Sequence, residues 1–152
     1  MQRPRFNVRV YGILVEKGKV LVSDEFIKGK EIIKFPGGGL EFGEGTADCV
    51  VREFKEETGM DVEVRSHFYT TDFFVASAFD VKSQVISIYY VVKSLEPIKL
   101  AIASKKFDFK NKTEGAQAFR WLDVDKISEN DFTFVIDRKV ANLIGENKKM
   151  FL

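Results

Sequence analysis

The residues best suited to chemistry in this chain are acidic. Glu53, Glu56 and Glu57 follow directly on Arg52, with Glu44 and the run Gly37-Gly38-Gly39 upstream. If this segment is a helix, 100° per residue places the three carboxylates within an arc of about 100°, so they point to one place. Adjacent negative charges repel and raise one another's pKa, a cost that a bound cation removes. Hard oxygen donors favour Mg²⁺, with Mn²⁺ as a substitute. Glycines without side chains let the backbone turn sharply and bring a carbonyl, that of Gly38, to the ion; a plain tight turn is the alternative reading. Arg52 reaches Glu56 four residues on, or Glu44 behind it, and so orients the carboxylates without entering the reaction. A Glu-rich helix alone would be a solvated surface helix, and it is Glu44 with the glycines that turns the reading towards a site.

These residues need elements to hold them. Apolar and β-branched residues over Phe6–Val15 and Lys19–Ser23 flank Glu16-Lys17-Gly18, which predicts a hairpin. A short strand over Glu31–Phe35 runs into Pro36 and the glycines, where regular structure should stop. Thr46 is the expected cap of a helix over 47–58, closed by Gly59. Its apolar stripe reads Ala47, Val50, Val51, Phe54 and Thr58. Val62–Phe74 and Gln84–Val92 read as strands, the second central because it is almost wholly apolar. Ala116–Leu122 reads as another strand and Val135–Ile144 as the last helix. Ser94–Gly115 is too long for a simple connection and is expected to be a functional loop, with a short strand near Ile98–Ile102. Phe68, Phe73, Phe74 and Phe79 suggest an aromatic-rich core or pocket.

From Gly38 to Met60 the chain reads GGLEFGEGTADCVVREFKEETGM, which fits G-x5-E-x7-R-E-U-x-E-E-x-G-U, with U a bulky apolar residue. All nine positions match: Gly38, Glu44, Arg52, Glu53, Phe54, Glu56, Glu57, Gly59 and Met60. At composition frequencies the seven fixed residues would coincide in such a chain about once in a million, which removes chance as a rival. The segment resembles the box of the Nudix hydrolases. The resemblance implies an α+β fold, an α/β/α sandwich with a mixed central β-sheet between helices, formed by residues 1–152 as a single domain. It further implies a pyrophosphatase that cleaves a diphosphate linkage in a nucleoside diphosphate-linked substrate, such as a nucleoside triphosphate, ADP-ribose or a nucleotide sugar. A metal held by Glu53, Glu56, Glu57 and Gly38 would activate the water. The family's general base varies in position; here Glu57 and Glu114 are the candidates. Glu114 opens EGAQAFRW, which resembles the Glu-Gly before a Trp in a bacterial sanitising nucleotide triphosphatase of the family, with the spacing one residue different.

The substrate is less legible. Where that sanitising enzyme supplies an Asn to the base, this chain places Ile136, and the marker residues of ADP-ribose and dinucleoside polyphosphate hydrolases give way to Val75, Ala76 and Ser77. Phe107 and Phe109, among the lysines of the 94–115 loop, either stack a base or anchor a surface loop. Lys34 either contacts a phosphate or is an ordinary edge charge. His67 is read as structural and Cys49 as packing. Two rival classes are a Nudix-fold sensor without catalysis and an isoprenoid diphosphate isomerase. The first often loses box carboxylates that are intact here, and the second needs a differently placed cysteine.

Composition narrows the partners. Twenty-four Lys and Arg against 23 Asp and Glu, a net charge of +1, leave no broad field for long nucleic acid or an anionic membrane. One cysteine, no secretory signal in MQRPRFNVRV and no long apolar run point to a cytoplasmic protein that does not cross a membrane. It is expected to be a monomer or homodimer that takes a nucleotide-like small molecule.

Overall fold

The computed structural model describes residues 3–152. The elements run β1 (Arg5–Glu16), β2 (Lys19–Ile27), β3 (Lys30–Lys34), β4 (Gly37–Gly39), α1 (Thr46–Thr58), β5 (Val62–Thr70), β6 (Ser83–Ser94), β7 (Gln117–Asp123) and α2 (Val135–Glu146), with short 3-10 turns on either side of α2. They form two compact units. One comprises the chain up to Gly12 with Gly37–Glu96, the other Ile13–Pro36 with Pro97–Leu152. β1 crosses from the first to the second between Gly12 and Ile13.

In the first unit β6 lies between β1 and β5, the central place its apolar sequence predicts. β5 and β6 are antiparallel, with irregular register at Val64/Ser66 and His67/Tyr69. α1 packs on β4, β5 and β6. Asp48 in its first turn complements the helix dipole, and Gly59 ends it in the left-handed conformation, its N–H bonded to Lys55 O. The cap is Gly45, not Thr46, whose hydroxyl is instead 2.6 Å from the Tyr90 hydroxyl. The buried stripe also differs from the one expected. It is Cys49, Val50 and Phe54, whereas Ala47 faces solvent. The helix is set one position round from the stripe that side-chain polarity suggests, because a buried thiol packs as a small apolar group.

The glycine run does not stop regular structure. Gly37–Gly39 pairs antiparallel with Tyr11, Val10 and Arg9. Gly37 has φ 147°, and a Cβ there would lie 2.1 Å from Val10 O, so only glycine allows the approach. β5 ends at Thr70, short of Phe74. None of Phe68, Phe73, Phe74 and Phe79 is buried, and Phe74 is 73% exposed. The aromatic core of this unit is Tyr11, Phe54 and Tyr89.

In the second unit the hairpin closes through Lys17 and Gly18, both at positive φ, between the pairs Glu16↔Lys19 and Val15↔Val20. β2 is held on both sides by antiparallel partners, β3 and β7. It continues past Ser23 to Ile27 because its acidic residues find buried cationic partners, described below. The expected strand near Ile98–Ile102 is reduced to one isolated parallel bridge, Ile102↔Phe119. Phe132 stacks on Phe35 at 4.5 Å, and Thr133 bonds Ile33 through both its backbone N–H and its side-chain oxygen. These contacts fasten the start of α2, which buries Ile136, Val140, Ala141 and Ile144. The mixed sheet with helices matches the expected fold class. No helix among the described residues is long and apolar enough to cross a membrane.

Candidate active site

Periodicity sets the positions on α1, and the loop before it supplies their partners. Arg52 grips Glu44 with two parallel hydrogen bonds, Nε to Oε2 at 2.9 Å and Nη2 to Oε1 at 2.7 Å. The planar guanidinium fork matches a carboxylate, which lysine would not. The same Nη2 donates to Gly39 O at 3.1 Å, tying the glycine strand to the helix. Nη1 donates to both Glu53 at 3.2 Å and Glu56 at 3.1 Å, and lies 3.7 Å from Glu41. One guanidinium therefore faces four carboxylates. Its hydrogen bonds, with the Glu41 backbone N–H, hold the Glu44 carboxyl down at about 2, while Glu44 raises Arg52 further above its ordinary value.

Glu53 and Glu57 are held by the glycine strand. The Glu53 head lies where a Gly38 side chain would be: a Cβ on Gly38 would be 2.5 Å from Oε1 and 2.7 Å from Oε2. Glu57 Oε2 accepts the Gly37 N–H at 3.1 Å. Glu56 is the most exposed of the three. Among the described residues no three Asp, Glu, His or Cys groups gather closely enough to hold a metal ion. Each carboxylate takes a nearby donor: one Arg52 nitrogen serves Glu53 and Glu56, and a backbone amide serves Glu57. The donor set nevertheless fits a hard divalent cation, with three carboxylates on adjacent turns, an acidic surplus around Arg52 and a glycine cradle under Glu53.

Cys49 is buried behind this array, its thiol directed at Gly39 O, and burial pushes it up to about 12, so it packs and does not react. His67 shares a hydrogen bond with Thr70 at the surface.

The structure brings Gly38, Glu44, Arg52, Glu53, Glu56 and Glu57 together in the first unit. Lys34, Phe107, Phe109 and Glu114 belong to the second. Lys34 is buried and pairs with Glu25 at 3.1 Å. Glu114 accepts the Lys28 N–H with both oxygens, at 2.6 and 3.0 Å. Phe107 and Phe109 are half-buried with ring centroids 6.1 Å apart. Phe107, at φ 56°, gives its N–H to Asp24.

Sequence reasoning missed the polar interior of this unit. Asp24 is fully buried and takes Arg120 in a two-point ion pair, with Nη2 to Oδ1 at 2.8 Å. Beside it in sequence, Glu25 gathers Ser23, Lys34 and Gln117. The available signal was three polar residues, Ser23-Asp24-Glu25, continuing directly from a buried Val-Leu-Val run.

A family model described as the NUDIX domain matches residues 3–143. A mouse (Mus musculus) protein named nucleoside diphosphate-linked moiety X motif 6 is 31% identical over 131 residues, 86% of this chain and 38% of that protein. An ADP-ribose pyrophosphatase of Methanocaldococcus jannaschii is 34% identical over 89 residues, 56% of this chain and 49% of that protein. The chain thus spans less than half the length of both relatives. Among solved structures, a NUDIX hydrolase from Nitrosomonas europaea aligns with TM-score 0.69 at 19% identity, covering 93% of this chain and 90% of that one, a likeness of fold.

Proposed function

The chain belongs to the Nudix family, and from that premise we propose that it is a Mg²⁺-dependent pyrophosphohydrolase that cleaves the diphosphate linkage of a nucleoside diphosphate-linked substrate, with Mn²⁺ able to replace Mg²⁺. The observation that supports this most is the Arg52 hub, which ties Glu44, Glu53, Glu56 and the glycine strand into one acidic array. Glu53, Glu56 and Glu57 would hold the cation, with the Gly38 carbonyl beside them. When bound, the cation supplies charge neutralisation for the diphosphate oxygens and a lower pKa for the attacking water. The chain's own residues do the rest. Arg52 fixes the rotamers of Glu53 and Glu56 through one nitrogen while Glu44 fixes Arg52. Cys49 and Phe54 seat the helix, so the acidic turn is held on packed structure.

Water attacks phosphorus in line, the bridging P–O bond breaks towards the leaving phosphate, and a carboxylate oxygen of the first unit, that of Glu57, takes the water's proton. The test is incubation of the purified chain, with and without Mg²⁺, against nucleoside triphosphates, ADP-ribose, nucleotide sugars and dinucleoside polyphosphates. Metal-dependent release of a nucleoside monophosphate or pyrophosphate from one class is expected. Absence of products across the panel with either metal would overturn the proposal.

A further inference from the structure

The acidic array carries more negative charge than its own arginine can offset. Four carboxylates surround Arg52 and Glu57 stands one turn beyond Glu53, so a single bound divalent ion still leaves the site acidic. A diphosphate brings further negative charge, and like charges at close range repel. A second cation on the ligand's side removes that conflict. Within the same unit the glycine strand has one beside it, Arg9.

Strand pairing sets where Arg9 lies. It stands opposite Gly39, as Val10 stands opposite Gly38, and directly paired residues share a face of the ladder. A Cβ on Gly38 would meet the Glu53 carboxylate and one on Gly12 the Phe54 ring, so Val10, Gly12 and Gly38 face α1. Alternation puts Arg9 and Tyr11 on the reverse face, with Arg9 one residue, about 3.3 Å, along the strand from the Glu53 cradle. A Cβ on Gly39 would lie 3.7 Å from Arg9 Nη1, in ordinary contact, so the guanidinium rests against the bare backbone there. Among the described residues β4 has β1 as its single strand partner, and three glycines put no side chain on either of its faces. A ligand with two linked phosphates can therefore lap over this thin edge, one phosphate on the helix side at the cation and the other on the reverse face at Arg9.

The guanidinium is oriented for such a contact. Its Nε donates to the Tyr11 hydroxyl at 2.7 Å, and its carbon lies 5.8 Å from the centre of the Tyr11 ring. Tyr11 is itself buried and packs on the Tyr89 ring at 5.3 Å. A hydroxyl is neutral, so this contact fixes the fork without cancelling its charge, whereas Arg52 is enclosed by carboxylates. Arg9 is half-buried, which strengthens its attraction for a neighbouring anion.

We infer that Arg9 binds a phosphate of the substrate's diphosphate, as a substrate-contacting residue for the proposed hydrolysis. The inference rests on the pyrophosphohydrolase reading. Every residue it uses lies in the first unit, with the acidic array. The contact forms in the ground state, so its loss weakens binding more than it slows chemistry.

The experiment compares wild type, Arg9→Met and Arg9→Lys in steady-state hydrolysis of whichever nucleotide class the panel yields. Methylenediphosphonate, a non-hydrolysable diphosphate without a nucleoside, serves as competitive inhibitor at saturating Mg²⁺. R9M is expected to raise KM and the inhibitor's Ki together by about tenfold or more, with kcat changed by less than about threefold. R9K keeps a point charge but not the fork, and should raise both constants by about threefold.

A KM that rises without the Ki places Arg9 on the nucleoside and overturns the inference. So do a loss confined to kcat, an unchanged KM, or a wild type that the diphosphonate does not inhibit, and in each of these hydrolysis itself stands. A wild type that turns over no nucleotide removes instead the functional reading, and the inference with it. Should R9M fail to fold, R9K decides by the same two constants, and unchanged values overturn the assignment.

Discussion

Two ionic clusters, one in each unit, are built on opposite plans. On α1 a single guanidinium serves four carboxylates, its side chain 23% exposed, and the negative charge exceeds the positive. In β2 and β7 one guanidinium serves one carboxylate, both nearly excluded from water, and the charges balance. An unbalanced, hydrated cluster can exchange partners at little cost, which suits a place where a cation and a charged substrate come and go. A balanced, buried pair cannot be rearranged without stranding a charge, which suits a fixed part of the frame. Arginine next to glutamate or aspartate is the same chemistry in both, and burial and stoichiometry separate their roles.

Substitutions can break this contrast. Glu53→Gln should have the largest effect on turnover, a fall of roughly a thousandfold with the melting temperature nearly unchanged, since several kcal/mol of charge stabilisation are lost with the cation. Equal losses of rate and stability would show that the acidic array is also frame. Asp24→Asn is expected to do the reverse, removing roughly 3–5 kcal/mol of stability in urea unfolding by leaving Arg120 buried and unpaired. The double variant Asp24→Leu with Arg120→Met should lose less than Asp24→Asn alone. Were the single variant the milder one, the pair would not be the balanced frame element described here.

Smaller effects sharpen the comparison. Arg52→Lys keeps the charge but loses the fork that holds Glu44, Glu53 and Glu56, and kcat should drop by about 10- to 100-fold while stability moves by less than about 1 kcal/mol. The smallest effect is in acid. Folding depresses the Glu44 carboxyl from 4.5 to about 2, mainly through its hydrogen bonds from Arg52. Because the folded value is the lower one, that stabilisation is complete above pH 4.5 and disappears as pH falls through about 2. Glu44→Gln should therefore flatten the pH dependence of the melting temperature across that window, read by thermal denaturation in a buffer series.

How far the sequence reaches depends on the distance between interacting residues. The Nudix box resides in 23 consecutive residues, and helical periodicity with one glycine-rich turn suffices to place Arg52 near Glu44 and Glu56. The strand β6 and the helix α2 were equally legible, their apolar patterns being long and regular. Reading failed where a residue's partner was not local. Thr46 is a good cap by type, but the Tyr90 hydroxyl claims it, and the glycine run reads as a break until β1 lies beside it.

The amino-acid sequence by itself determined the family, the acidic turn and its arginine, because those depend on spacings of one to eight residues that backbone geometry converts directly into proximity. Only the tertiary structure decided that Asp24 meets Arg120 across 96 residues and Glu25 meets Gln117 across 92. Strand register sets those meetings, and a shift of one residue would turn each side chain to the opposite face.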